Sequence, residues 1–250
     1  MIPAAVAVVV PAHNEQHRIA DCLRSLRTAA AHAAPLPVTV VVVADACTDA
    51  TRHIALAQGA YVVTTDARNV GAARAVGSAR ALHLCAGAAP AVWLATTDAD
   101  STVPPAWITH QLAWAHRGYD AVLGTIRLTA SARRTAHAAL HDADYFHTRP
   151  PRDAAAWAHP HIHGANLGLS AAAYERIGGF APLRTGEDRD LVTRLAAAGH
   201  RIARSDRHPV QTAARLRGRA PGGLADLLAS LAHEGRGLTG TTRYDAARQR

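Results

Sequence analysis

The hydrophobic positions of this chain fall into short blocks separated by amphipathic stretches. Ala5–Val10 is a continuous apolar run, and Ile19, Cys22, Leu23 and Leu26 follow at i, i+3, i+4 and i+7, one face of a helix. Pro35 and Pro37 break the chain before a second apolar run, Val38–Val43. The pattern then predicts a helix over Thr51–Gln58 ended by Gly59, a strand over Tyr61–Thr64 and a helix over Gly71–Leu84. A strand over Ala91–Thr96, a helix over Pro105–His116 and a strand over Ala121–Leu128 complete this series. Apolar runs of this length, alternating with helices, predict an α/β fold with a mostly parallel sheet covered on both faces. Beyond residue 128 the regularity falls. A weak helical signal covers Ala136–Tyr145, a clearer one covers Glu187–Ala198, and Leu224, Leu227, Leu228 and Leu231 mark a last amphipathic helix.

Length and composition narrow the classes. A chain of 250 residues that is 49% hydrophobic can bury one sizeable core, so a single domain is expected. The apolar start carries no basic lead-in and reads as a buried strand, not an export signal. No run approaches the roughly 20 apolar residues of a membrane helix, so membrane contact is expected to be peripheral at most. Three cysteines, Cys22, Cys47 and Cys85, lack metal-ligand spacing and suit a reduced cytoplasm. The net charge of +8 raises nucleic acid as a partner. However, every basic residue is Arg, only two Phe are present, and no basic run is interleaved with aromatics. An anionic small molecule uses positive potential equally well, and no nucleic-acid partner is expected.

Open α/β sheets bind ligands beyond the carboxyl ends of their strands, which directs attention to three polar clusters. Pro11, Ala12, His13, Asn14 and Glu15 follow the first strand, Asp45 follows the second, and Asp98-Ala99-Asp100 follows the fourth. Two carboxylates on alternate residues can face one hard cation, and Mg²⁺ or Mn²⁺ prefers oxygen ligands. Taken alone, Asp98-Ala99-Asp100 reads equally as a turn before Pro104 and Pro105. Asp188, at the start of a predicted helix beside Glu187, offers a carboxylate that could take a proton from an attacking hydroxyl. Its alternative is a helix-end acid that complements the macrodipole. His159, His161 and His163 alternate and could face one metal, although Pro160 interrupts them. Arg215, Arg217 and Arg219, with Gly218, Gly222 and Gly223, form a basic segment suited to a diphosphate or an anionic acceptor, or simply to solvent.

The chain resembles the family 2 glycosyltransferases of GT-A fold over most of its length. The resemblance lies in Val-Pro-Ala-His-Asn-Glu (10–15), Asp45 with Cys-Thr-Asp (47–49), Gly71 to Arg74 and Asp98-Ala99-Asp100. It continues in Gly164-Ala165-Asn166, Gly178-Gly179-Phe180 and Gly186-Glu187-Asp188. It implies a nucleotide-binding half over 1–126, an acceptor and catalytic half over 127–235, and a polar tail over 236–250. It also implies donor contacts from Pro11, Ala12, Asn14, Glu15, Asp45, Arg74, Asp98, Ala99 and Asp100, and a sugar or acceptor pocket at Gly164, Ala165 and Asn166. Asp100 would hold the divalent cation, with His208 as a further ligand, and Asp188 with Glu187 would be catalytic. The implied activity moves one sugar from a nucleoside diphosphate sugar, a UDP-sugar first among them, to a hydroxyl of a small or lipid-like acceptor, with inversion.

Two departures stand out. Ala44 replaces the first of two acids often found after the second strand, and no Gln-x-x-Arg-Trp motif of processive synthases occurs. Three rival readings exist: a protein that only binds nucleotide sugars, a nucleotidyltransferase, and a haloacid-dehalogenase-type phosphatase using Asp98 and Asp100. The nucleotidyltransferase reading lacks a Gly-rich loop after the first strand. The phosphatase reading wants its aspartates after the first strand and a later Lys, and this chain has no Lys.

Overall fold

Val6, Val8 and Val10 are fully buried on one face of the first strand, while Ala5, Ala7 and Val9 are buried on the other. A strand covered on both faces gains from an unbroken apolar run, which explains why the sequence shows no alternation there. The computed structural model describes residues 2–88, 91–129, 135–150, 157–215 and 224–232. The expected polar tail, and Arg217, Gly218, Arg219, Gly222 and Gly223 of the basic segment, lie outside the described residues.

The strands are β1 (Ala5–Ala12), β2 (Val38–Asp45), β3 (Tyr61–Thr65), β4 (Val92–Thr96), β5 (Ser101–Thr102), β6 (Ala121–Leu128), β7 (Leu167–Ser170) and β8 (Ile202–Thr212). They form one sheet in the order β3-β2-β1-β4-β7-β6-β8-β5. Strands β3, β2, β1 and β4 are mutually parallel, β7 is antiparallel to both β4 and β6, and β8 is parallel to β6. The helices are α1 (Ile19–His32), α2 (Thr51–Ala57), α3 (Val70–Leu84), α4 (Trp107–His116), α5 (Ala136–Tyr145), α6 (Ala171–Arg176) and α7 (Glu187–Ala197), with α8 over 224–232. Cys22, Leu23 and Leu26 of α1 and Trp107 and Ile108 of α4 pack on one face of the sheet. Ala73 and Ala81 of α3 and Leu191 and Leu195 of α7 pack on the other. This is the α/β fold expected, with a mostly parallel sheet between two helical layers. Strands β7 and β8 had no counterpart in the apolar pattern. The first is only four residues long, and the second carries Arg204, Asp206, Arg207 and Pro209 among its apolar positions.

Two features of this topology position the site. The chain runs from β1 outward to β3 and then returns to place β4 on the other side of β1. The loops after β1 and β4 therefore diverge and leave a crevice between them, where open α/β sheets take their ligands. In addition, β5 pairs with the end of β8, with Ser101 opposite Thr212. That pairing carries the chain beyond Thr212 back to the Asp98–Asp100 turn.

Candidate active site

The crevice opens into a cleft of about 880 Å³, within the range of small-molecule sites. Pro11, Ala12, Glu15, Asp45, Asp98, Ala99 and Asp100 line it from the strand ends, together with Arg74 from α3. Gly164, Ala165, Glu187 and Asp188 line it from the second half of the chain. Asn14 and Asn166 are not among its lining residues. Asn14, at φ +54°, accepts the Thr48 amide at 2.8 Å and so braces the loop after β2. Asn166 is buried beneath the cleft. It donates to the Thr125 and His208 carbonyls at 2.8 and 3.1 Å and accepts from the Trp107 indole at 2.8 Å. Its amide knits β6, β8 and α4 together.

Asp45 lies at the last position of β2. Its two oxygens accept the Arg68 and Asn69 amides at 3.0 and 2.9 Å. The carboxylate thereby fixes the turn that starts α3, with Arg68 held at φ +47°. Asn69 caps α3 by accepting the Ala72 amide at 3.0 Å and donates to the Pro182 carbonyl at 2.8 Å. His13 reaches the Asp45 carbonyl at 2.7 Å.

Arg74 is neither a solvated helix residue nor a free cation. It is 3% exposed, donates to Asp98 Oδ1 at 2.6 Å and pairs with Glu187 Oε1. Gly164 makes this possible, because a Cβ there would meet the guanidinium at 2.4 Å. Glu187 is buried as well and accepts from Arg74. Asp188 turns the other way. Gly186, at φ +76°, starts α7 in the left-handed region, where glycine carries no Cβ penalty. The Asp188 carboxylate then accepts the Gly164 amide on Oδ2 at 2.8 Å and the Arg189 amide on Oδ1 at 2.7 Å.

The two aspartates of the turn flank Ala99, which points into the core. Loss of hydration pushes the Asp98 carboxyl up, against the pull of Arg74. Asp100 is pushed up to about 6, first by burial and then by Asp98. Its neighbours stand off: Ser101 and Thr212 hydroxyls at 3.4 and 3.5 Å from Oδ1, and Arg215 at 3.4 Å from Oδ2. A carboxylate with such loose partners, beside a second one, fits a hard divalent cation. Such a cation takes one or two protein carboxylates and completes its shell with phosphate and water. Among the described residues no three His, Cys, Asp or Glu side chains are grouped to hold a metal unaided. His208 does not line the cleft; its ring lies 4.5 Å from that of His110.

The three alternating histidines do not converge on a cation either. Their rings lie nearly parallel, 5.8 and 6.1 Å apart, like rungs. Each Nε2 has its own partner: His159 with the Leu123 carbonyl, His161 with the Tyr145 carbonyl and His163 with the Tyr145 hydroxyl. Burial pushes His163 down to about 3 and His159 down to about 4, so both rings are neutral. His161 stacks on Tyr145 at 3.6 Å, giving the cleft an aromatic wall. Tyr145, His161, Arg68, Arg184 and Arg189 also line the cleft. His161 stood out in the sequence only as a possible metal ligand, and the other four not at all, since neither the end of α5, the start of α7 nor the loops that hold Arg68 and Arg184 carry a spacing signal.

A family model, glycosyl transferase family 2, matches residues 7–178. The chain belongs to this family. No curated protein matches it. Among solved structures, the family 2 chain is similar to residues 1–349 of S. aureus TarS in complex with UDP-GlcNAc, at TM-score 0.63 and 15% identity, covering 92% of this chain and 66% of that one. It is similar to the mannosyltransferase PcManGT of Pyrobaculum calidifontis, in complex with GDP-Man and Mn²⁺, at TM-score 0.59 and 23% identity, covering 87% and 59%. A third is glucosyl-3-phosphoglycerate synthase of Mycobacterium tuberculosis, in complex with Mn²⁺, UDP and glucosyl-3-phosphoglycerate, at TM-score 0.53 and 18% identity, covering 92% and 77%. At these identities the likeness is one of fold, the GT-A fold expected. The family 2 chain spans less than two thirds of the TarS fragment and of PcManGT. Among its described residues no helix is long and apolar enough to cross a membrane.

Proposed function

We propose that this family 2 chain transfers one sugar from a nucleoside diphosphate sugar to a hydroxyl of a small or lipid-like acceptor in the cytoplasm, with inversion. The observation that carries the reading is the meeting of Asp100 and Asp188 in one cleft, the former loosely partnered and the latter aimed by two backbone amides. The complexes of similar fold with UDP-GlcNAc and GDP-Man support a nucleotide-sugar donor.

The loops after β1 and β2 form the nucleoside end of the cleft, and Asp98 and Asp100 form the diphosphate end. Asp100, with Asp98 beside it, would hold Mn²⁺ or Mg²⁺. Such a cation supplies positive charge to the departing diphosphate. At the other end Asp188 accepts the proton of the acceptor hydroxyl. The acceptor oxygen forms its bond to the anomeric carbon as the bond to the diphosphate oxygen breaks, and the diphosphate leaves with the electron pair. Gly164 and Arg189 amides hold the Asp188 carboxylate in place during that transfer, and Tyr145 and His161 offer flat faces to the acceptor.

Calorimetric titration with UDP, GDP and dTDP, with and without Mn²⁺, tests the donor site in wild type and Asp100→Ala. Mn²⁺-dependent binding of one nucleotide, lost in the variant, is expected. Absence of binding under every metal condition would remove the basis for a transferase.

A further inference from the structure

Two arginines reach the carboxylates of the cleft, and they are held in different ways. Arg74 is closed in on the floor, between Asp98 and Glu187 and beneath Gly164. Arg215 comes from the mouth, three residues past the end of β8, and its side chain is 22% exposed. Its Nη1 donates to Glu15 Oε1 at 2.7 Å, its Nη2 pairs with Glu15 Oε2, and the same Nη2 lies 3.4 Å from Asp100 Oδ2. The pairing of Ser101 with Thr212 fixes this placement, because it ties the end of β8 to the residue after Asp100. Glu15 is itself anchored, its amide donating to Thr51 Oγ1 at 2.6 Å.

The guanidinium therefore stands at the carboxylate that fits a divalent cation. Positive charges a few ångströms apart repel strongly where water is scarce, so the guanidinium beside Asp100 opposes a cation at the same carboxylate. A guanidinium fork matches phosphate oxygens as well as it matches a carboxylate. Arg74 is closed in by its partners, whereas the Arg215 side chain enters from the mouth and is partly exposed.

We infer that Arg215 competes with the divalent cation for Asp100 and, when the donor binds, exchanges the carboxylates of Glu15 and Asp100 for the donor's diphosphate. The exchange rests on the transferase reading above; the competition does not. Arg215 is in this sense a donor-positioning residue that also sets the affinity for the metal.

Mn²⁺ alone, followed by the electron paramagnetic resonance of the free ion, tests the competition in wild type, Arg215→Met and Arg215→Lys. Removing one neighbouring positive charge should tighten Mn²⁺ binding by about tenfold in R215M and leave R215K close to wild type. UDP binding at saturating Mn²⁺ should weaken by about tenfold in R215M, and R215K should recover only part of it, since Lys lacks the fork. Melting curves confirm that the variants fold, and R215K keeps a cation against Glu15 if R215M does not. Equal Mn²⁺ affinity in wild type and folded R215M, or no Mn²⁺ uptake by either, overturns the competition. Tighter Mn²⁺ binding with unchanged UDP affinity overturns the exchange. Mn²⁺ uptake without binding of UDP, GDP or dTDP by the wild type counts against the transferase and the exchange, while the Mn²⁺ comparison still decides the competition.

Discussion

Gly164 and Asp188 act on each other across the cleft: the Gly164 amide donates to Asp188 Oδ2 at 2.8 Å. The Arg189 amide holds the other oxygen. An Asn at 188 keeps an oxygen for one of these amides but cannot accept a proton. Asp188→Asn should therefore lower kcat by about 10²–10⁴-fold and leave nucleotide affinity and melting temperature close to wild type. Single-turnover transfer with parallel calorimetry separates these effects. A matching loss of nucleotide affinity would make Asp188 a binding residue.

Gly164→Ala is expected to destabilise the protein. The new Cβ would lie 2.4 Å from a guanidinium that is itself closed in by Asp98 and Glu187. Overpacking of this kind costs about 1–3 kcal/mol. Urea unfolding should show a lower midpoint at unchanged slope, with nucleotide binding also reduced because Asp98 moves with Arg74.

Arg74→Met strands two carboxylates, one of them buried. Breaking a buried pair from one side costs about 3–5 kcal/mol. Glu187→Gln should cost less, since the amide oxygen still accepts from Arg74. An order of stability of wild type, E187Q, R74M in denaturant titrations supports this account; equal stability of R74M and wild type contradicts it.

The buried histidines should make stability fall on acidification below pH 6.5. Burial holds His159 at about 4, His163 at about 3 and His110 at about 4, against 6.5 for a free ring. The unfolded chain binds these protons first, so the stability held above pH 6.5 is lost as pH drops towards 4. His159 is fully buried, and its share is on the order of 2 kcal/mol. In His159→Gln the decline between pH 6.5 and 4 should be shallower by about one proton, as read from denaturation midpoints across that range. An unchanged slope would show that His159 is not the group taking up the proton.

The first half of the chain was legible in the sequence because its signals are local. Apolar runs in β1, β2 and β4 need both faces covered, and the polar residues that end them fall at the strand tips by continuity of the chain. Asp98 and Asp100 face the cleft because Ala99 between them takes the core side. The second half was harder to read. Strand β8 crosses a half-wet region and pairs through its backbone, so its side chains show no apolar period. Asn14 and Asn166 were chosen for residue type and position, but their amides found backbone partners that no spacing reveals.

Sequence alone determined the layers, the family and the set of carboxylates at the strand ends, because local periodicity and chain continuity fix which residues share an edge. Only the tertiary structure decided what each charge does. Arg74 lies against Asp98 and Glu187, 24 and 113 residues away, and Arg215 reaches Glu15 across 200. Such pairings depend on where helices and strands pack. The energy of a charge is set by the partners and water around it, and packing, not sequence spacing, brings those partners together.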